Sequence, residues 1–533
     1  MGTYVNPGNE SFISAVSSDI YIDKTGMLEI LNKGINTEKR YFAVSRARRF
    51  GKSMAAGMID AYYSRGCDSR ALFSKYEITK KPDFETHLNK YNVLHFDVNS
   101  FFSSAKSNSE VIPLMDGRLL DEMMETFPYL NRSKCTDTAY AVNQVYKHDG
   151  IQFVIIIDEW ECIVRNAKDD GKLISDYLNY LRGFFKTEES KRFLALGYIT
   201  GILPIKKVKD ESSLNNFREY TMIAPGSFLS YFGFNEKEIG DLCKRYSQTA
   251  DNIRQWYDGY LMTAEGDWDS NEQVHIYNPN SVVEAFERRK LGNYWKNTSA
   301  FEGINDYIEL NYAGLKDDIT AMIAGERRRV NTSTFQNDLT HFKTKDDVMT
   351  ALIHMGYLGY DTESGEAFIP NEEVRNVFES AVRVGEWTDI QDALDHSEEL
   401  LKATWAGDKK LVTETIAKSQ QDYASIINFH DENALACAVM MSYFTARKYY
   451  YVKRELPAGK GFADIAFIPR KEGEHPAMIV ELKWNRSAKS AIKQIRDKEY
   501  VGALSDYKGE MLLVGINYNK KTGKYSCRIE QRD

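Results

Sequence analysis

The chain has 533 residues, room for about three domains of ~150 residues each, and 43% of them are hydrophobic, enough for full cores. A formal net charge of −8 argues against a wholesale nucleic-acid coat and leaves only local basic patches for such contacts. No apolar run reaches the ~18 residues of a membrane span, and Met1-Gly2-Thr3-Tyr4-Val5-Asn6 lacks the basic-then-apolar pattern of a signal peptide. The six cysteines (67, 135, 162, 243, 437, 527) and nine histidines are scattered, without a Cys-x-x-Cys pair or a histidine pair at metal spacing, so the expectation is a cytoplasmic chain with reduced thiols, no membrane and no zinc site.

Residues 1–40 read as a lead-in. Asp23 and Lys24 are either a helix cap beside Thr25 or a nucleotide contact. Tyr41 to Val44 is then a strand, followed by a basic loop, Ser45-Arg46-Ala47-Arg48-Arg49-Phe50-Gly51-Lys52-Ser53, and by a helical pattern through Met54, Ala55, Met58, Ile59 and Tyr62. Strand, loop and helix in that order suit phosphate binding, because a helix N-terminus presents unpaired N–H groups and a partial positive charge. Gly51 lets the backbone approach the phosphates, Lys52 would reach the β- and γ-phosphates, and Ser53 would hold Mg²⁺. The usual Gly-x4-Gly-Lys-Ser/Thr spacing lacks its first glycine, where Arg46 stands, so the loop alone also fits a solvated basic turn. Val93 to Val98 reads as a second strand. Phe153-Val154-Ile155-Ile156-Ile157-Asp158-Glu159 is a continuous apolar run ending in two acids, the signature of a strand buried on both faces of a parallel sheet with its C-terminal edge at the ligand. Asp158 would bind Mg²⁺ through water, and Glu159 would orient or deprotonate the attacking water. Phe193 to Gly201 is the strand after it. Alternating strands and helices up to about Pro225 predict an α/β domain with helices on both faces.

Arg48-Arg49-Phe50-Gly51-Lys52-Ser53 resembles the loop of bacterial AAA-ATPase-like proteins that carry a C-terminal PD-(D/E)XK nuclease-like domain. The resemblance extends over Tyr21-Ile22-Asp23-Lys24-Thr25, Trp256-Tyr257-Asp258-Gly259-Tyr260, Tyr277-Asn278-Pro279 and Tyr294-Trp295-Lys296-Asn297-Thr298, and so over nearly the whole chain. In that family the first glycine of the loop is normally Arg, which Arg46 follows. Ala47 replaces the usual Pro, and Trp160-Glu161 stands where the family tends to have Tyr-Asp. The resemblance implies ATP as the nucleotide, Arg48 and Arg49 on its phosphates, a homo-oligomer, and Thr200 as a group sensing the γ-phosphate, with a strand-capping threonine as the alternative. It makes residues 226–300 the ATPase lid and residues 1–300 one domain.

Beyond Asn278-Pro279-Asn280-Ser281, a helix start, Thr344-Lys345-Asp346-Asp347 resembles a capping box before Val348, Leu352 and Met355. Tyr357 to Tyr360 and Ala367 to Pro370 suggest a hairpin, and a helix follows from Glu372. Helix, hairpin and helix fit a winged-helix-like module. Its acidic turn (Asp361, Glu363, Glu366) would repel phosphate, so residues 301–425 are expected as a helical connector, with 385–425 a solvated linker.

Residues 426–533 read as αβββαβ: a helix from Glu432, strands Tyr449–Leu456, Phe462–Ile468 and Ala477–Lys483, a helix Ala488–Tyr500 and a strand Met511–Ile516. That is the order of a PD-(D/E)XK nuclease core. Strand alternation puts Glu481 and Lys483 on one open face and Leu482 on the other, and turns Asp464 toward Glu481 across neighbouring strands. Oxygen ligands from Asp464 and Glu481 favour Mg²⁺ or Mn²⁺, which would activate a water while Lys483 orients it or steadies developing charge. The fold implies an additional acid at Glu432. Gln494 and Lys498 lie at i, i+4 behind the site, and Lys489, Lys493 and Arg496 suit nucleic-acid backbone contacts. The expectation is an ATP-hydrolysing chain coupled to a metal-dependent nuclease, with DNA ahead of RNA as its partner. A non-cleaving nucleic-acid-binding switch is the alternative.

Overall fold

The computed structural model describes residues 2–205, 214–264, 272–295, 304, 307–310, 312–335, 342–384, 388–423, 432–458, 461–471, 473–500, 507 and 509–532. The motif residues Lys296, Asn297 and Thr298 and the side chain of Glu432 lie outside the described residues. The chain forms two compact units, residues 1–301 with 329–374 and residues 302–328 with 375–533. Residues 301–425, expected as one connector, are therefore divided between the two.

In the first unit, strands β1 (Tyr41–Ser45), β2 (Asn92–Asp97), β3 (Phe153–Asp158), β4 (Leu194–Gly201) and β5 (Arg218–Tyr220) form one sheet in the order β2-β3-β4-β1-β5, every pairing parallel. β1, β3 and β4 are buried at every position. Alternate residues feed two separate cores: Leu94, Phe96, Ile155, Ile157 and Ile199 lie in one, and Val93, Val154, Ile156, Leu196 and Tyr198 in the other, with Met58, Ile59 and Tyr62 of helix α1 (Lys52–Tyr63). That two-sided burial is what a parallel sheet demands of its strands. Helix α2 (Cys162–Asn166) follows β3 directly.

Helices α3 (Glu236–Tyr246) and α4 (Ala250–Tyr257) precede, and α5 (Pro279–Glu287) follows, the antiparallel strands β6 (Tyr260–Thr263) and β7 (Gln273–Tyr277). Asn278 caps α5 by accepting from Ser281 N–H, with Pro279 in the first turn. The aromatic motifs are packing: the Tyr260 hydroxyl donates to Gly356 O (2.8 Å), and the Tyr257 hydroxyl meets both the carbonyl (3.0 Å) and the N–H (3.1 Å) of Gly292. Glu236, Asp258 and His275 bring ligand-type atoms within 4.8 Å of one another. Arg254 and Tyr277 already occupy Glu236, and His275 pairs with Asp258 at 2.7 Å, so the cluster reads as an ion-pair network. Helix α6 (Lys345–Met355) starts in the expected capping box of Thr344 and Asp347 and leads to the hairpin β8 (Gly359–Asp361) and β9 (Glu366–Phe368). Asp361 accepts from Gln273 of β7 (2.8 Å), which ties the hairpin into this unit.

In the second unit, α7 (Thr388–Trp405), α8 (Lys409–Tyr423) and α9 (Glu432–Ser442) precede a sheet of β10 (Tyr450–Ala458), β11 (Gly461–Pro469), β12 (Ala477–Trp484), β13 (Met511–Asn519) and β14 (Lys524–Gln531), with α10 (Ala488–Asp497) between β12 and β13. The sheet runs in chain order, parallel only between β12 and β13. Leu400, Leu401, Val412 and Ile416 pack on Ile465, Phe467, Val480 and Leu482. Helices α7 and α8 thus contribute to this core rather than forming a solvated linker, with Glu398, Glu399, Lys402, Lys409 and Lys410 on their outer side. On the other side of the sheet, Ile492 and Ile495 of α10 pack on Ile479 and Leu513.

Candidate functional site

Arg46 N–H donates to Gly201 O (3.0 Å), so the sheet ladder runs one residue past β1 before the loop begins. The loop turns at Arg49 (φ 69°) and Gly51 (φ 90°). A Cβ built on Gly51 would meet nothing within 4 Å, so the space above the start of α1 is open, and no side chain caps that helix end. This is a cradle for an anion. Lys52 is buried, its ammonium donating to the carbonyls of Arg46 (3.1 Å) and Ala47 (3.3 Å) and lying 4.0 Å from Glu159. Burial pushes its pKa down, against the pull of Glu159, Glu161 and Asp158. The Ser53 hydroxyl donates to Asp158 Oδ2 at 2.7 Å, which places a hydroxyl and a carboxylate side by side as ligands for Mg²⁺.

Four acids gather at this sheet edge. Asp97 stands beside Asp158 in the β2–β3 register, with its pKa raised by burial. Asp158 accepts from Glu159 N–H (2.9 Å), and Glu159 sits at φ 50°. Glu161 is wholly buried. One oxygen accepts from Ile202 N–H (3.1 Å), the other has no hydrogen-bond partner, and burial together with Glu159 pushes its pKa up to about 7. Arg165 lies 3.9 Å from Glu159 and 3.6 Å from Glu161. Four carboxyls against Lys52 and Arg165 leave an acid excess that a divalent cation would balance.

In the second unit, Asp464 Oδ2 accepts from Leu482 N–H at 2.7 Å, which sets its carboxylate against the peptide joining Glu481 and Leu482. The Ile465–Val480 pairing places Asp464 and Glu481 next in the same antiparallel register. Lys483 donates to Glu481 Oε1 at 2.8 Å. The expected open face is a correction: Glu481 is 1% exposed and Lys483 9%, because α10 closes over this end of the sheet. The close approach requires Gly515, the partner of Glu481 on β13, where a Cβ would stand 2.4 Å from Ala488 O. The donor set fits a hard divalent cation, two carboxylates from adjacent strands with an ammonium beside them.

A family model described as predicted AAA-ATPase matches residues 10–209, and one for the PD-(D/E)XK nuclease superfamily matches residues 430–527. The chain thus carries an AAA-ATPase-like domain over residues 10–209 and a PD-(D/E)XK nuclease-superfamily domain over residues 430–527. A relative from Azotobacter chroococcum mcd 1, an uncharacterized protein in the vnfD 5' region, is 23% identical over 284 residues, 52% of this chain and 50% of its own; the chain thus spans about half the length of that relative. Among solved structures, the Aeropyrum pernix ORC2 protein in its ADPNP–ADP complexes overlaps with a TM-score of 0.33 at 10% identity, covering 70% of this chain and 98% of that one. Cdc6p from Pyrobaculum aerophilum overlaps with a TM-score of 0.23 at 9% identity, covering 72% and 99%. Overlaps this loose bear no weight on function.

In the AAA-ATPase-like unit, Gly51, Lys52, Ser53, Asp158 and Glu159 lie together at one edge of the sheet. Thr200 is buried and its hydroxyl donates to Val44 O (3.0 Å) of the neighbouring strand. Arg48 is half-buried and Arg49 exposed on the loop. Asp23 accepts from Thr25 N–H (2.9 Å) just before a helix that no side chain caps, and Lys24 pairs with Glu238 (2.6 Å). In the nuclease-superfamily domain, Asp464, Glu481 and Lys483 converge. Gln494 bonds the Tyr500 hydroxyl (3.2 Å), Lys498 is an exposed cap just past α10, and Arg496 is drawn to Glu530 (2.8 Å). Asp97 and Arg165 were not anticipated, and Glu161 was noted only as a departure from the family pattern. Its signal was there, an acid among Trp160, Cys162, Ile163 and Val164 just past Glu159.

Among the described residues no helix is long and apolar enough to cross a membrane.

Proposed function

We propose that this chain binds and hydrolyses ATP and uses its C-terminal domain as a Mg²⁺- or Mn²⁺-dependent nuclease, with DNA ahead of RNA as substrate, in the cytoplasm and as a homo-oligomer. The observation that carries the reading is the pairing of two built sites in one chain: Ser53 bonded to Asp158 under an open, uncapped helix start, and Asp464 set against the Glu481–Lys483 pair. In the first, the α1 amides and Lys52 would hold the phosphates, Ser53 and Asp158 the cation, and Glu159 would take the proton of the attacking water. In the second, Asp464 and Glu481 would hold the cation and Lys483 would face the developing charge on the phosphate. A bound divalent ion would polarise the scissile phosphate and lower the pKa of water.

The test incubates the purified full chain with single- and double-stranded DNA and RNA, with Mg²⁺ or Mn²⁺, with and without ATP, beside Asp464→Ala. The expected result is metal-dependent cleavage that Asp464→Ala abolishes while ATP hydrolysis survives. The burial of Glu481 and its bond to Lys483 favour a second reading, a domain that binds nucleic acid without cutting it. Wild-type protein that binds but never cleaves, across metals and nucleotides, would select that alternative.

A further inference from the structure

Glu159, the expected base of the ATPase site, lies 4.0 Å from Lys52 through one oxygen and 3.9 Å from Arg165 through the other. A carboxylate between two cations has nearly the size and charge of one edge of a phosphate. The side chain needed to take a proton from water is thus placed where a terminal phosphate would find its own counter-charges.

Arg165 is built to be there and is only loosely committed. It sits in the single short turn of α2 after β3, with 17% of its side chain exposed. Its Nη1 is buried without a hydrogen-bond partner, and its one side-chain hydrogen bond is a long Nε contact to Asn166 (3.5 Å). Behind it lies Glu161, fully buried, 3.6 Å from that Nη1 and anchored by Ile202 N–H. A partly exposed guanidinium whose inner nitrogen is buried without a hydrogen bond, beside an open anion cradle, is better satisfied when a ligand completes it. Unlike Lys, Arg offers a planar fork suited to two phosphate oxygens.

We propose that Arg165 is an arginine acting in cis on the γ-phosphate of bound ATP, that Glu161 is the positioning residue that holds it, and that the Lys52–Glu159–Arg165 arrangement is a resting state which the γ-phosphate breaks. On binding, the γ-phosphate takes Lys52 and Arg165 from Glu159, and Glu159 is released to the attacking water. ADP, with no γ-phosphate, leaves the resting state in place. The inference rests on the ATPase reading above and names a residue which that reading does not use.

The experiment measures affinity of the full chain for ATP and ADP by fluorescent-nucleotide displacement, and turnover, in wild type, Arg165→Ala, Arg165→Lys and Glu161→Gln. Arg165→Ala should weaken ATP roughly tenfold to hundredfold, the range of a charge-assisted contact, and leave ADP unchanged. Its kcat should fall, and Arg165→Lys should recover part of both. Glu161→Gln, isosteric and still able to accept from Ile202 N–H, should lower kcat more than it weakens ATP. Equal ATP and ADP affinities in wild type and Arg165→Ala would overturn the assignment, as would an equal loss for both nucleotides, which marks a structural arginine. A wild type that binds neither nucleotide would instead remove the ATPase reading, and this inference with it.

Discussion

Removing Lys483 tests the nuclease-superfamily site without needing a substrate. Lys483→Ala leaves Glu481, 1% exposed, without the ammonium that stands 2.8 Å from it. Breaking a buried pair from one side is destabilising by about 3–5 kcal/mol, because the remaining charge stays desolvated. The loss has a ceiling set by protonation: neutralising a carboxyl of ordinary pKa ~4.3 takes about 4 kcal/mol at pH 7 and about 1 kcal/mol at pH 5. The penalty should therefore be large at neutral pH and small at pH 5, since stability tied to the protonated carboxyl is present at low pH and is lost as pH rises. Hydrogen exchange of peptides covering β12, at both pH values after correction for intrinsic rates, reads this locally even though the chain has two compact units. Glu481→Gln added to Lys483→Ala should restore protection at pH 7, and Mg²⁺ should restore part of it in the single variant. Equal losses at pH 5 and pH 7, or no rescue by the second substitution, would refute the charge argument and make Lys483 a packing residue.

Lys52→Ala should abolish ATP hydrolysis by removing the ammonium beside the cradle, and an ATPase rate equal to wild type would sink that assignment. Glu159→Gln should keep ATP binding and lose turnover, which single-turnover kinetics separates from binding. Glu373, buried and accepting from Tyr294 N–H (2.7 Å) and Trp295 N–H (2.9 Å), has its pKa pushed up by burial to about 7. A raised carboxyl favours folding below its unfolded pKa and loses that contribution as pH rises from ~4.5 to ~7, so Glu373→Gln should raise the unfolding midpoint relative to wild type at pH 8 and much less at pH 5, by about 3 kcal/mol at most. A variant destabilised equally at both values would show that the hydrogen-bond geometry, not the charge, sets its contribution.

The features written plainly in the chain are those where one residue's environment is fixed by its neighbours in sequence. Phe153 to Ile157 is buried on both faces, and an unbroken apolar run says so. Asp464, Glu481 and Lys483 follow from strand alternation plus one antiparallel pairing. The helical character of 388–423 was legible but its burial was hidden, because Glu398, Glu399, Lys402, Lys409 and Lys410 dominate the composition, while the stripe of Leu400, Leu401, Val412 and Ile416 shows only once there is a sheet to receive it. β14 was hidden for the opposite reason: as an edge strand with only Ile529 buried along it, it has no apolar run to detect. Burial of Glu481 depends on how closely α10 approaches at Gly515, a distance no local pattern encodes. Glu161 and Arg165 likewise acquire meaning only from Ile202 and Lys52, which come from other strands and loops.

The missing first glycine of the phosphate loop has a physical reason in Arg46. Its N–H still belongs to the sheet, and its side chain is fully buried, Nη1 donating to Ser45 O (2.9 Å) and Tyr220 O (2.8 Å), the guanidinium over the Phe232 ring at 5.3 Å. Burial pulls its pKa down to about 9. A glycine here would remove the side-chain tie to Tyr220 O of the edge strand β5 and leave a cavity beside Phe232. The left-handed turning has moved to Arg49 and Gly51, and only at Gly51, at the mouth of the helix, does the absence of a side chain keep space open for a ligand. What phosphate binding asks of the sequence is therefore one glycine at the helix start and the Lys-Ser that follows it, while the first position of the motif is free to do structural work.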